Sequence, residues 1–253
     1  MIKFDHVKKI LAGNQVLDDV SFEIQKGEIF CIVGPSGVGK SVTLKHMVRL
    51  LTPDEGQVLV GDCVISRAIG EDLEKARERF GFLFQGGALL AWLSVGENVA
   101  LPLREKTNTE EDEVNKRVLE TLTMVGLEDA IDKFPSEISG GMRKRAGLAR
   151  AIIRNPEIVL YDEPTSGLDP VTARTIDSLI ERMRKDIGVT SVVVTHDLHS
   201  ALSIGTRIAM LHGGKIVENC KPSEFVNSPS PEVQGFLESQ FITKAGSWER
   251  NIK

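Results

Sequence analysis

The chain has 253 residues, 41% of them hydrophobic and 26% charged, and a formal net charge of −5. That balance fits one large α/β domain or two modest ones, and its acidic sign argues against broad nucleic-acid binding, so no nucleic-acid partner is expected. No stretch reaches the ~18 uninterrupted apolar residues of a membrane span, the opening MIKFDHVKKI lacks the apolar run of a signal peptide, and Cys31, Cys63 and Cys220 form no CxxC pair, which together lead us to expect a cytosolic protein with reduced thiols.

Two short strands open the chain, around Ile2–Phe4 and Val16–Ile24, the second alternating at Val20, Phe22 and Ile24. Ile29–Val33 is a continuous apolar run of the kind a buried parallel strand shows. A Gly-rich loop and a helical pattern at Val42, Leu44, Met47, Val48 and Leu51 follow at once. Thr52–Gly56 reads as a turn, Gln57–Val64 as an edge strand and Glu71–Arg79 as a charged surface helix. From about Gly86 to Pro156 the texture is helical, without strand. Thr109–Val125 carries Val114, Val118, Leu119 and Leu122 on one face and acids near its start, where the helix dipole favours them. Met142–Arg154 is amphipathic, and its Arg and Lys residues read as a solvated face. After Pro156 the strand–helix rhythm returns, with Ile158–Tyr161, Val171–Asp186, Ser191–Thr195 and a helix to about Ile204. Arg207–Leu211 and Lys215–Asn219 flank Gly213 and Gly214, a hairpin signal. These elements predict an α/β fold whose parallel core comes from both ends of the chain, with a helical insert in the middle. The residues from Ile242 on are mostly polar and read as frayed.

Gly34, Pro35, Ser36, Gly37, Val38, Gly39, Lys40 and Ser41 match GxxxxGK(S/T) at every fixed position, after an apolar strand and before a helix that Val42 continues. The glycines let backbone N–H groups turn onto phosphate oxygens, and the helix adds its positive end. Lys40 is placed to reach the β- and γ-phosphates of a nucleotide, and the Ser41 hydroxyl to ligate Mg²⁺. Ile158–Tyr161 delivers two carboxylates, Asp162 and Glu163, at the strand end where open α/β sheets bind ligands. Asp162 suits the Mg²⁺ shell and Glu163 suits a proton taken from attacking water, although acids also end strands as helix caps. Val192–Thr195 ends in the same way at His196, placed to hydrogen-bond the γ-phosphate and the water, although a lone histidine is more often structural.

Ile138, Ser139, Gly140, Gly141, Met142 and Arg143 open a helix in the insert, and alone they are an ordinary N-cap. Taken in order with the phosphate loop, Gln85, Asp162–Glu163, the run Ser166, Gly167, Leu168 and Asp169, and His196, they resemble the signature motif of ABC-type ATPases. The likeness covers roughly residues 2–225. It implies a P-loop NTPase core with an N-terminal antiparallel β subdomain at residues 1–85 and 155–225. It also implies a helical subdomain at 86–154 and a C-terminal helix and tail at 226–253. ATP and Mg²⁺ are the implied ligands, and ATP hydrolysis coupled to transmembrane transport the implied activity. Two copies would face head to tail, each ATP lying between one phosphate loop and Ser139, Gly140, Gly141 and Met142 of the other copy. Ser166–Asp169 would run along that interface, Gln85 would sense Mg²⁺ or water, and Leu11 and Val16 would line the nucleotide. Two residues depart from the family's pattern. Met142 stands where Gln is usual, which keeps a backbone clamp and loses a side-chain contact. Leu11 stands where an aromatic usually stacks on adenine, which leaves the choice between adenine and guanine open.

The runs Phe84–Leu90, Asn98–Glu105 and Pro135–Arg150 more closely resemble the ATPase subunit of Mla-type, MCE-associated lipid transporters, and Met142 is part of that likeness. The implied partners are an integral membrane permease and an MCE-domain lipid-binding protein, the cargo phospholipid, and the location the cytoplasmic side of the inner membrane. Residues 88–103, apolar and carrying Trp92, are a candidate permease groove or ordinary packing of the insert. The tail at 231–253, with Phe236, Leu237, Phe241 and Trp248, would bind a small regulatory subunit or the other copy, or form a terminal helix and loose end. An ABC importer ATPase for amino acids or metals shares the same catalytic set. A soluble ABC ATPase acting on DNA or ribosomes would carry a second nucleotide domain or long coiled coils, and intact Lys40, Asp162, Glu163 and His196 speak against a non-hydrolysing regulator.

Overall fold

Apolar alternation at the start of the chain makes strands longer than their sequence signal. In a computed structural model, which describes residues 1–242, β1 spans Ile2–Leu11 and β2 Asn14–Ile24. β3 (Ile29–Val33), α1 (Lys40–Met47), β4 (Glu55–Val60) and α2 (Gly70–Glu78) follow. Then come β5 (Phe80–Leu83), α3 (Val95–Lys106), α4 (Glu111–Met124) and α5 (Gly140–Ile152). β6 (Ile158–Asp162), α6 (Pro170–Arg182), β7 (Thr190–Thr195) and α7 (Leu198–Ile204) continue the alternation. β8 (Arg207–His212), β9 (Lys215–Cys220), α8 (Pro222–Phe225) and α9 (Pro231–Ser239) complete it. The expectations for the polar end past Ile242, Trp248 included, lie outside the described residues. Contacts divide the chain into two units, one of Met1–Ala76 with the residues from Val192 on, the other of Arg77–Ser191.

In the first unit β2, β1 and β4 form an antiparallel sheet in that order. Phe4 and Phe22 are directly opposed in it, and their rings stack at 4.5 Å. Phe22 stacks in turn on Phe30 of β3 at 5.3 Å. β7, β3, β8 and β9 lie side by side in that order, β3 parallel to β8 and β8 antiparallel to β9. Every residue of β3 is buried, as its unbroken apolar run demands. Gly213 at φ 54° and Gly214 at φ 78° supply the two left-handed residues of the tight β8–β9 hairpin. The expected strand Gln57–Val64 stops at Val60, because Val60 and Cys63 close a turn through backbone bonds of 2.8 and 3.2 Å. All three cysteines are free thiols.

In the second unit β5 pairs in parallel with β6, from Phe80 opposite Ile158 to Leu83 opposite Tyr161. The sequence reading did not single out β5, since four residues offer too little alternation to stand out after a charged helix. It did not identify α3 as a helix either, because Pro102 lies inside it. A capping box starts this helix: Ser94 Oγ accepts from the Glu97 N–H at 3.2 Å, and the Glu97 carboxylate accepts from the Ser94 N–H at 2.7 Å. Asn98, fully buried, ties down the loop ahead of it, donating to the carbonyls of Leu90, Leu93 and Ser94 and accepting from the Leu90 N–H at 2.7 Å. The expected helix Val171–Asp186 is α6 continued by a π turn at Met183–Ile187, which Gly188 closes at φ 75°.

The basic residues of α5 overturn the expectation of a solvated face. Arg143 donates to Ile138 O at 2.8 Å, and Arg145 to Val125 O and Gly126 O at 2.9 and 2.6 Å. Arg150 donates to Ala88 O and Gly87 O at 2.8 and 2.9 Å, and Lys144 is buried. Chain segments that end against α5 leave carbonyls without backbone partners, and long basic side chains reach them while burying their stems.

Candidate functional site

The phosphate loop belongs to the first unit, carried by β3 on one side and α1 on the other. Gly34, at φ 149°, lies so close to β8 that a Cβ would come within 2.3 Å of Leu211 O. Gly39, at φ 112°, is pressed against β2, where a Cβ would meet Val16 Cγ1 at 2.9 Å. A Cβ at Gly34 would force the β8 backbone to move, and the left-handed φ of Gly39 would strain any other residue. Val16 thus packs on the loop at Gly39, while Leu11 is half-buried at the end of β1, paired with Asn14 across the β1–β2 turn. Pro35, Ser36 and Gly37 are exposed, and Val38, Ser41 and Val42 half-buried. Lys40 is buried, its Nζ donating to Gly34 O at 2.8 Å and Pro35 O at 3.0 Å. No side chain caps α1 and no acid stands in its first turn, so its N–H groups and positive dipole end face the loop.

His196 also belongs to this unit and is exposed just past β7. Asp197 caps α7, its Oδ1 accepting from the Ser200 N–H at 3.1 Å. Gln240, past α9, spans the same segment: its Oε1 accepts from the Leu198 N–H at 2.9 Å and its Nε2 donates to His196 O. The sequence reading passed over Gln240, which no local pattern links to His196.

The second unit carries Gln85, Asp162, Glu163, the signature run and the run Ser166–Asp169. Gln85 is exposed and Asp162 half-buried at the end of β6. Glu163 is buried and left-handed at φ 51°, an uncommon conformation for a non-glycine residue. Ser139 caps α5, its Oγ accepting from the Met142 N–H at 3.2 Å. Ser139 is exposed, Gly140 and Met142 are half-buried and Gly141 is buried. A Cβ on Gly141 would meet Thr172 Cγ2 at 2.4 Å, and one on Gly140 would lie 3.9 Å from Leu168 Cδ2. The signature turn and the Leu168–Thr172 segment therefore pack directly on each other. Gly167 turns at φ 73°, and Asp169 caps α6, accepting from the N–H groups of Val171 and Thr172 at 3.0 Å each. Hydrogen bonds, first from the Thr172 hydroxyl, hold the Asp169 carboxyl below the usual range.

Of the basic α5 residues that sequence reasoning placed in solvent, Lys144 is the one that is buried. Its Nζ donates to Glu163 O at 3.0 Å and to Ser166 O at 2.6 Å, which joins α5 to the segment after β6. Burial pushes its ammonium down to about 8, against the opposing attraction of the Glu163 carboxylate. A signal was present, since Lys144 falls on the buried stripe of Gly141, Leu148 and Ile152 at helical spacing.

The oxygens of Ser41, Asp162 and Gln85 are hard donors of the type Mg²⁺ takes, and this ion uses few carboxylates when a nucleotide supplies phosphate oxygens. Among the described residues no group of three or more His, Cys, Asp and Glu could hold a metal by itself.

The sequence model of the ABC transporter family matches residues 17–166, more than half of the chain. The chain belongs to the ABC transporter ATP-binding family. Among its relatives, the probable ribonucleotide transport ATP-binding protein mkl of Mycobacterium leprae is 39% identical over 98% of this chain and 72% of that protein. The intermembrane phospholipid transport system ATP-binding protein MlaF of Haemophilus influenzae is 38% identical over 90% of this chain and 87% of its own. The methionine import ATP-binding protein MetN 2 of Salmonella typhimurium is 42% identical, over 81% of this chain and 60% of that protein. A dimeric, post-hydrolysis structure of the ATP-binding cassette MJ0796 with ADP and Pi superposes at a TM-score of 0.80. It is 36% identical and covers 88% of this chain and 99% of its own. The fold is that of ABC ATPases, and the chain is an ATP-hydrolysing subunit of an ABC transporter. Among the described residues no helix is long and apolar enough to cross a membrane.

Proposed function

We propose that this ABC ATPase drives phospholipid transport from the cytoplasmic side of the inner membrane, held there by a permease and coupled to an MCE-domain lipid-binding protein. The observation that carries this reading is the likeness to the phospholipid-transport ATPase MlaF over nearly all of both chains. Met142, in the place where the family usually has Gln, points the same way. In the working cycle Lys40 and the loop amides hold the β- and γ-phosphates, and Leu11 and Val16 lie toward the base and sugar. Glu163 accepts the proton of the attacking water as the bond from the γ-phosphorus to the bridging oxygen breaks, giving ADP and phosphate. His196 orients that water and the γ-phosphate, and Gln85 reports on the site to the helical region. Mg²⁺, held by Ser41, Asp162 and Gln85, would neutralise phosphate charge.

Two copies close head to tail around two ATP molecules. Each site is completed by Ser139, Gly140, Gly141 and Met142 of the other copy, and Ser166–Asp169 lies along the interface. ATP closes the pair, and hydrolysis lets it open. The permease-docking surface is a groove of about 430 Å³ lined by Phe82, Phe84, Ala88, Leu101, Pro102 and Arg150. Trp92, 73% exposed on the preceding loop, adds apolar surface of the kind a partner helix covers. The tail at 231–253 is assigned to a small regulatory subunit or the second copy.

A second reading, an importer ATPase for small solutes, is favoured by the likeness to the methionine importer MetN. Affinity purification from native membranes separates the two. The lipid reading expects a permease, an MCE-domain protein and bound phospholipid, whereas a soluble solute-binding protein would replace it with the importer.

A further inference from the structure

We infer that Lys144 is a positioning residue that ties the signature helix to the segment bearing Glu163, so that engagement of the signature by one nucleotide sets the carboxylate that acts on the other. The inference rests on the head-to-tail reading above, in which Ser139 and Glu163 of one copy serve different ATP molecules. The connection itself lies within one unit. α5 begins at the Ser139 cap, and Lys144 stands little more than one turn along it. From there Nζ reaches Glu163 O at 3.0 Å and Ser166 O at 2.6 Å, and nothing dilutes the contact, because Lys144 is 5% exposed. Glu163 O also accepts from the Ser166 N–H at 3.3 Å, so the ammonium gathers both ends of one tight turn.

That turn holds the uncommon conformation of the site. Glu163 is left-handed at φ 51°, which costs backbone energy and persists only where its surroundings impose it. The Lys144 ammonium is such a surrounding, since it grips the carbonyl of Glu163 itself. A second contact keeps the coupling rigid: Gly141 leaves no space for a Cβ against Thr172, so a rotation of α5 at the signature also moves the start of α6. The cap of α6 is Asp169, at the end of the same 163–169 segment. Signature, Lys144 and the Glu163–Asp169 segment thus move as one body. A buried cation also fits a lever better than an apolar residue would, because it holds two carbonyls at fixed distance and resists sliding.

The test measures ATP turnover as a function of ATP concentration for the wild type, Lys144→Met and Lys144→Arg, and for Ser139→Ala alone and combined with Lys144→Met. ATP affinity and melting temperature are recorded for each. The wild type should turn over ATP with a Hill coefficient above one. Lys144→Met should bind ATP within about twofold of wild type, lose about tenfold in kcat and fall to a Hill coefficient of one. Lys144→Arg, which keeps donors for both carbonyls, should recover part of both. Combined with Ser139→Ala, Lys144→Met should add little further loss, since both cut one line of communication. Should Lys144→Met fail to fold, Lys144→Arg against wild type carries the same comparison of kcat and Hill coefficient. A cooperative Lys144→Met, or losses that multiply with those of Ser139→Ala, overturns the role of Lys144 and leaves the two-site dimer standing. A wild type without cooperativity overturns the role of Lys144, while the two-site dimer is tested separately by the oligomeric state of Glu163→Gln in Mg-ATP.

Discussion

Lys40 and Met142 show how differently two residues of one proposed site answer to substitution. Lys40 is buried over its own loop and in the proposed cycle holds the β- and γ-phosphates, so Lys40→Ala should reduce ATP turnover to background in a steady-state assay. Met142 enters the signature through its backbone, its N–H already pointed at Ser139 Oγ. Met142→Gln should therefore leave kcat within about threefold, and a collapse would assign the thioether a direct contact. Lys144 predicts a pH effect on stability. Its folded value is about 8 against an ordinary 10.5, so between those limits the unfolded chain holds the proton that the folded chain has lost. Stability therefore rises with pH across that window by roughly 3 kcal/mol for this group, and the cost is fully present below it. Denaturant unfolding should show wild type gaining on Lys144→Met as pH goes from 8 to 10.5. A difference that stays constant would mean the ammonium carries no such cost.

Among the elements, α9 and the residue after it bear on His196 from far along the chain. Gln240 fastens both sides of Asp197 through the His196 carbonyl and the Leu198 N–H. Gln240→Met keeps the length and removes both bonds. It should lower kcat several-fold with little change in melting temperature, since His196 is exposed and the bonds lie at the surface. Unchanged turnover would show that the α7 cap alone orients His196. The elements also show what the sequence made legible. β3, β6 and β7 stood out because unbroken apolar runs have one structural meaning, and the hairpin did because two adjacent glycines have one turn. The phosphate loop, the carboxylate pair and the signature cap were readable for the same reason, each being a local arrangement. β5 and α3 were not, the first for want of length and the second for its proline. The true partners of Lys144 and Gln240 lie 19 to 44 residues away, and no window along the chain contains both ends. The basic face of α5 misled because charge alone suggests solvent, while helical register places Lys144 among Gly141, Leu148 and Ile152.

At the scale of the whole molecule, the proposed function makes one chain half of each reaction site, its phosphate loop in one unit and its signature in the other. Ser139 is exposed at the tip of α5, and Pro35, Ser36 and Gly37 are exposed over α1. Val171, 77% exposed at the start of α6 beside the Asp169 cap, is apolar surface of the sort a second copy would cover. Removing the proposed base without removing nucleotide binding should trap that pair. Glu163→Gln, sized with Mg-ATP by light scattering after gel filtration, should elute as a stable dimer at twice the 27.8 kDa chain mass and return to monomer when ATP is withdrawn. Glu163→Gln that binds ATP with ordinary affinity and stays monomeric would contradict the two-copy site.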